Sequence, residues 1–120
     1  MTIAAEIAVG LVAALHLYFL ALEMFLWKTP FGRRTFGLSV QQAEATAILA
    51  MNQGLYNGFL AAGLLWALGA DGVVGGRPTL TFFLGCVIAA GLFGGFTASK
   101  KILGVQALPG AIALGLVWAV

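Results

Sequence analysis

The sequence predicts an all-α integral membrane protein, a four-transmembrane-helix antiparallel bundle with both termini outside. Three observations predict it. Of the 120 residues, 62% are hydrophobic and 8% charged, against about 25% charge in an ordinary soluble domain, so the chain lacks the polar surface to cover a core in water. Four apolar runs each approach the ~20 residues that cross the hydrocarbon as a helix. The basic residues gather between those runs, which speaks for membrane orientation and against a nucleic-acid partner.

The helices are expected at roughly 3–27, 42–69, 78–98 and 102–120, within a single domain covering 1–120. The first run, MTIAAEIAVGLVAALHLYFLALEMFLW, has no basic leading region and carries Glu6, His16 and Glu23, so it reads as a retained helix and not a cleaved signal. The breaks are KTPFGRRTFGLS, GADGVVGGRP and the Ser99-Lys100-Lys101 corner, each a turn or loop by composition. Lys28, Arg33 and Arg34 fall in the first break and Lys100 and Lys101 in the third, whereas the middle one has only Arg77, offset by Asp71. The first and third breaks share one side of any four-span chain, so the excess of cations places them in the cytoplasm. The expected location is a bacterial inner (cell) membrane, multi-pass, with the lipid bilayer as the first partner. Trp27, Trp66 and Trp118 lie close to the expected helix ends, where the indole prefers the interface.

Seventeen glycines suit lipid better than water, because small residues let helix backbones approach closely. Gly54 with Gly58, Ala90 with Gly94 and Gly91 with Gly95 have the spacing of such contacts. Contacts within one bundle are the first reading of this spacing and contacts between protomers the second. Four thin helices enclose little volume, so a homo-oligomer is expected. Gln106 and Pro109 predict a bend in the fourth helix whose freed backbone groups need cover inside a bundle.

The stretch AMNQGLYN, residues 50–57, places Asn52, Gln53, Tyr56 and Asn57 in an apolar helix. Counted at the helical rise, Asn52 and Gln53 lie about 15 Å deep, and at 100° per residue the four span an arc of about 140°, one broad polar face. His16, Leu20, Glu23 and Trp27 recur at spacings of four, three and four, which is one stripe of the first helix. His16 is about 16 Å deep and Glu23 about 6 Å on the same count. An ionisable group at such depth usually faces the protein interior or a water-filled cavity, because a charge at the bilayer centre costs about 3 kcal/mol. The expectation is a ligand-binding pocket between the first two long helices, formed by His16, Glu23, Asn52, Gln53, Tyr56 and Asn57. Glu44, Arg33 and Arg34 would form a cytoplasmic vestibule at its mouth. The same polar groups also fit simple hydrogen bonding between helices.

No metal or other cofactor is expected. Cys86 has no second thiol, there is no HExxH, CxxC or P-loop, and one His with scattered carboxylates lacks metal-ligand spacing. The function expected is binding or transport of a small molecule or ion. Alternatives are a membrane enzyme using Tyr56 or His16 as proton donor on a lipophilic substrate, and a purely structural membrane subunit.

The combination HLYFLALEMFLW, TPFGRRTFGL, AMNQGLYNGFLAAGLLW, FFLGCVIAAGLFGG and SKKILGVQALPG resembles the small bacterial membrane proteins grouped as DUF1304, over nearly the whole chain. That resemblance implies the four-helix architecture and no particular activity. Four short antiparallel helices with a polar patch on the second are also similar to the MAPEG (membrane-associated eicosanoid and glutathione metabolism) proteins, whose trimers bind glutathione or lipids between subunits. Gln53, Tyr56 and Asn57 fall on the polar places of that family's pattern, two of them with a changed residue type. Arg33 and Arg34 lie in a loop and not on a helix, so this second resemblance implies architecture and not thiol transfer.

Overall fold

A computed structural model describes residues 2–120. Among them the secondary structure is helical, without a strand: α1 (Ile3–Met24), α2 (Pro30–Phe36), α3 (Val40–Gly75), α4 (Arg77–Thr97), a π-helical turn at Leu103–Ala107, and α5 (Leu108–Ala119). Three of these helices, α1, α3 and α4, are long and apolar enough to cross a membrane. Their 22, 36 and 21 residues compare with the ~20 that a hydrocarbon core of about 30 Å requires. The protein is a helical membrane protein. The last segment, Leu103–Ala119, is apolar but shorter than those three.

Several boundaries differ from those expected from sequence, each for a local reason. The first helix ends at Met24 and not at 27, and the break that follows contains α2. The Thr29 hydroxyl accepts a hydrogen bond from the Gly32 amide at 3.1 Å, Pro30 fills the first helical turn, and Gly37 closes the helix with φ 67°. That left-handed cap is readily open to glycine alone among ordinary residues. The third helix starts at Val40 because Ser39 and Gln42 cap each other. The Gln42 amide donates to Ser39 Oγ at 3.0 Å and the Ser39 amide donates to Gln42 Oε1 at 2.9 Å, the reciprocal arrangement that satisfies two orphan donors. Its far end continues to Gly75, past the expected stop at 69, but Gly72 breaks the helical path with φ 71° and ψ −174°.

The π-helical turn answers the Gln106–Pro109 pattern. Pro109 has no amide hydrogen and its ring would strike the carbonyl four residues earlier. Widening the preceding turn, so that the Leu108 amide bonds the Leu103 carbonyl, relieves that conflict before α5 begins.

The chain forms two compact units. One comprises the chain up to Ala14 together with Leu60–Val120. Its core is made of Val9, Val12, Leu64, Leu80, Leu84, Val87 and Val117, all fully or almost fully buried. Inside this unit Gly91 and Gly95 are buried; a Cβ at Gly91 would overlap the Ala107 backbone and one at Gly95 the Leu103 side chain. The small face of the third long helix is thus used within the chain, against the π turn.

The other unit is Leu15–Phe59. In it the second half of α1 meets the first half of α3 across glycine. A Cβ at Gly54 would lie 2.6 Å from Met24 Cγ, and one at Gly58 would lie 2.7 Å from Leu20 Cδ1. Large apolar residues such as Tyr18, Phe25, Ile48 and Phe59 point outward and are exposed, as a lipid-facing surface allows.

Candidate ligand site at the end of the first helix

The last turn of α1 carries Glu23, and the chain then bends sharply. The Phe25 and Leu26 amides both reach the Ala21 carbonyl, at 3.0 and 3.1 Å, and Thr29 Oγ1 donates to the Leu26 carbonyl at 2.6 Å. Trp27 therefore leaves the stripe on which helical spacing had placed it. Its indole packs on Phe36 with ring centroids 4.7 Å apart, and Nε1 donates to Thr46 Oγ1 at 3.0 Å. Thr46 in turn donates to the Gln42 carbonyl at 2.7 Å, so the bend is tied to the first turns of α3.

Further along α3, Asn57 Nδ2 donates to Glu23 Oε1 at 2.5 Å, across 34 residues of sequence. Asn57 is buried and Glu23 half-buried. The glycine at position 54, one turn before Asn57, lets the backbones come close enough for this bond, since its missing Cβ would also sit 3.1 Å from Glu23 Cβ. The bond engages Oε1 and leaves Oε2 as an acceptor for another donor.

Glu23 also lines a cleft of about 420 Å³ whose other walls are Met24, Phe25, Trp27, Lys28, Thr29, Ala47, Ile48 and Met51. That volume lies within the roughly 300–1,000 Å³ of small-molecule pockets. The lining is largely apolar, with one carboxylate, one ammonium and one hydroxyl.

The six residues expected to form one pocket divide by exposure. Glu23 and Asn57 are joined. Asn52, Gln53 and Tyr56 are exposed, with Asn52 Nδ2 bonded to Tyr56 OH at 3.3 Å along the helix. His16 is completely buried and meets the Phe19 ring edge-on, centroids 5.3 Å apart. Of the expected vestibule, Glu44 and Arg34 are exposed and Arg33 is half-buried, with its Nε on the Lys28 carbonyl at 3.4 Å. No group of three His, Cys, Asp or Glu comes together among the described residues.

The division follows from a pattern in α3. Its buried positions in this unit are Ala43, Ala50, Gly54 and Asn57, spaced seven, four and three apart, the rhythm of a close-packed helix seam. Asn57 lies on the seam and the other three polar residues lie off it.

With this geometry in hand, the comparison with known families is decisive: the model of a family described as protein of unknown function (DUF1304) matches residues 10–118. The chain belongs to that family. This DUF1304 member is similar to the uncharacterized protein YpaA of Lactococcus lactis subsp. lactis (strain IL1403), with 31% identity over 108 residues, 88% of this chain and 89% of the relative. No solved structure matches. The likeness to the glutathione and eicosanoid family finds no support in these comparisons.

Proposed function

We propose that this DUF1304 protein binds a small molecule or ion at the cleft lined by Glu23, whose carboxylate Asn57 holds, and acts as a transporter or sensor component of the cell membrane. The observation that carries the reading is the amide-held carboxylate on the wall of an apolar cleft. A carboxylate within a membrane helix is costly and tends to be retained for a polar partner. Adhesion between helices needs only the Asn57 bond; it does not account for the cleft beside it. Asn52, Gln53 and Tyr56 would add a polar flank, His16 a buried group deeper in α1, and Glu44, Arg33 and Arg34 a cytoplasmic entrance.

The finer architecture belongs to the same proposal: four spans in a single domain, multi-pass, with both termini outside. Supporting it, α2 holds Arg33 and Arg34 and the turn before α5 holds Lys100 and Lys101, so cations cluster at alternate helix connections. A segment of 17 residues lies at the lower limit for a spanning helix, which allows Leu103–Ala119 as the fourth span. A homo-oligomer is supported by Gly10, Gly69, Gly85, Gly104 and Gly115, where an added Cβ would meet nothing within 4 Å. Glycines in apolar helices without a neighbour of their own chain are suited to contact a second copy.

Native mass spectrometry of the protein released from mild detergent tests the reading. We expect an oligomer that retains a small ligand, with the ligand lost from Glu23→Gln. Equal retention by wild type and Glu23→Gln would count against the site.

A further inference from the structure

We infer that the ligand of this cleft is a lipophilic organic monocation, one positive charge spread over or surrounded by aromatic or aliphatic groups. The inference rests on the ligand-site reading above and adds the chemical class.

Of the two ionisable groups that line the cleft, one is held in place. Glu23 has a short side chain, is half-buried, and is held by Asn57 at 2.5 Å. Lys28 also lines the cleft but is exposed, and its four-carbon stem can carry the ammonium out to headgroup water while the stem stays on apolar surface. The carboxylate is therefore the charge a bound molecule must meet. An anionic ligand would face Glu23 at close range, whereas a cation would find a carboxylate to pair with.

The remaining walls favour the same class. Phe25 and Trp27 both line the cleft, and aromatic faces attract cations, most strongly where water is scarce. Met24 and Met51 stand on the other walls, flexible and polarizable side chains that adapt to irregular apolar shapes. Phe25 is 72% exposed and Ile48 82%, so in a lipid-spanning protein the cleft opens on an apolar medium. A molecule reaching it from there must dissolve in lipid while still carrying a charge for Glu23, and a small hydrated ion such as Na⁺ does not.

Tetraphenylphosphonium and tetraphenylborate test the class, because they have nearly the same size and shape and opposite charge. Binding to the purified full chain is followed by equilibrium dialysis. Trp27 fluorescence, read in a Trp66→Phe/Trp118→Phe background, locates the ligand. The expected result is saturable tetraphenylphosphonium binding that perturbs Trp27, weakens about tenfold or more in Glu23→Gln (about 1.4 kcal/mol per tenfold), and is unchanged or stronger in Lys28→Gln. Tetraphenylborate should not compete. If tetraphenylborate or neutral triphenylphosphine oxide binds with equal affinity and perturbs Trp27, the cleft is a ligand site but the cation assignment is wrong. If none of the three binds saturably, the cation assignment falls and the ligand-site reading falls with it.

Discussion

The two compact units use polar groups in opposite ways. In the unit containing Leu60–Val120, polar side chains close a helix end. The Arg77 guanidinium lies 5.0 Å from the Trp118 ring centroid, its Nη2 donates to the Val120 carbonyl at 2.7 Å, and Trp118 Nε1 donates to Thr81 Oγ1 at 2.9 Å. Arginine there offers donors to carbonyls that the end of α5 leaves unpaired, and the rest of the unit is an apolar core. In the Leu15–Phe59 unit the polar contact is instead placed inside the helix seam, Glu23 to Asn57, beside an open cleft. The first arrangement closes a helix end, with Arg77 Nε left buried and without a hydrogen-bond partner. The second sets an amide-held carboxylate on the wall of a cleft, whereas the cleft of the first unit, lined by Ile88, Leu92, Leu103 and Leu108 among others, has no ionisable group.

The largest effect that would break this comparison lies at the glycines. Gly54→Leu should force α1 and α3 apart at Glu23 and Met24, and Gly91→Leu should do the same at Ala107, each costing about 1–3 kcal/mol by overpacking. Thermal unfolding in detergent should show both losses. Only Gly54→Leu should also lose ligand, since Gly91 belongs to the unit that does not hold Glu23. Loss of ligand by both variants would remove the distinction between the units.

A smaller effect separates seam from surface on one helix. Asn57→Leu leaves Glu23 without its amide and should destabilise by about 0.6–1.7 kcal/mol, the range of hydrogen bonds measured inside membranes. Gln53→Leu, at an exposed position, should stay within about 0.5 kcal/mol of wild type. Equal shifts in melting temperature would show that α3 does not present Asn57 inward.

Much of this was legible in the sequence. The apolar runs located the long helices because length and hydropathy are summed over some twenty residues and tolerate local error. Pro109 announced the irregular turn before α5. Helix α2 looks like a loop in the sequence because seven residues are too few for a periodic signal, although Thr29, Pro30 and Gly37 spell its two caps. The candidate site was less legible. Depth counted along a helix is one coordinate, and it matched His16 to Asn52 and Gln53 without saying which way any of them faces. The second coordinate was present in the spacing of Ala43, Ala50, Gly54 and Asn57, small residues marking the seam on which a polar residue must be buried. Trp27 departs from the stripe because helical spacing holds only while the helix continues, and α1 stops at Met24. Its bond to Thr46 spans a bend that no periodicity describes.

If Glu23 and Asn57 act as one unit within the membrane, a double-mutant cycle will show it. Reversible unfolding of wild type, Glu23→Ala, Asn57→Ala and the double variant gives the energy that belongs to the pair alone. A favourable coupling of about 0.5–1.7 kcal/mol is expected. Single losses that add to within about 0.3 kcal/mol of the double variant's would contradict it.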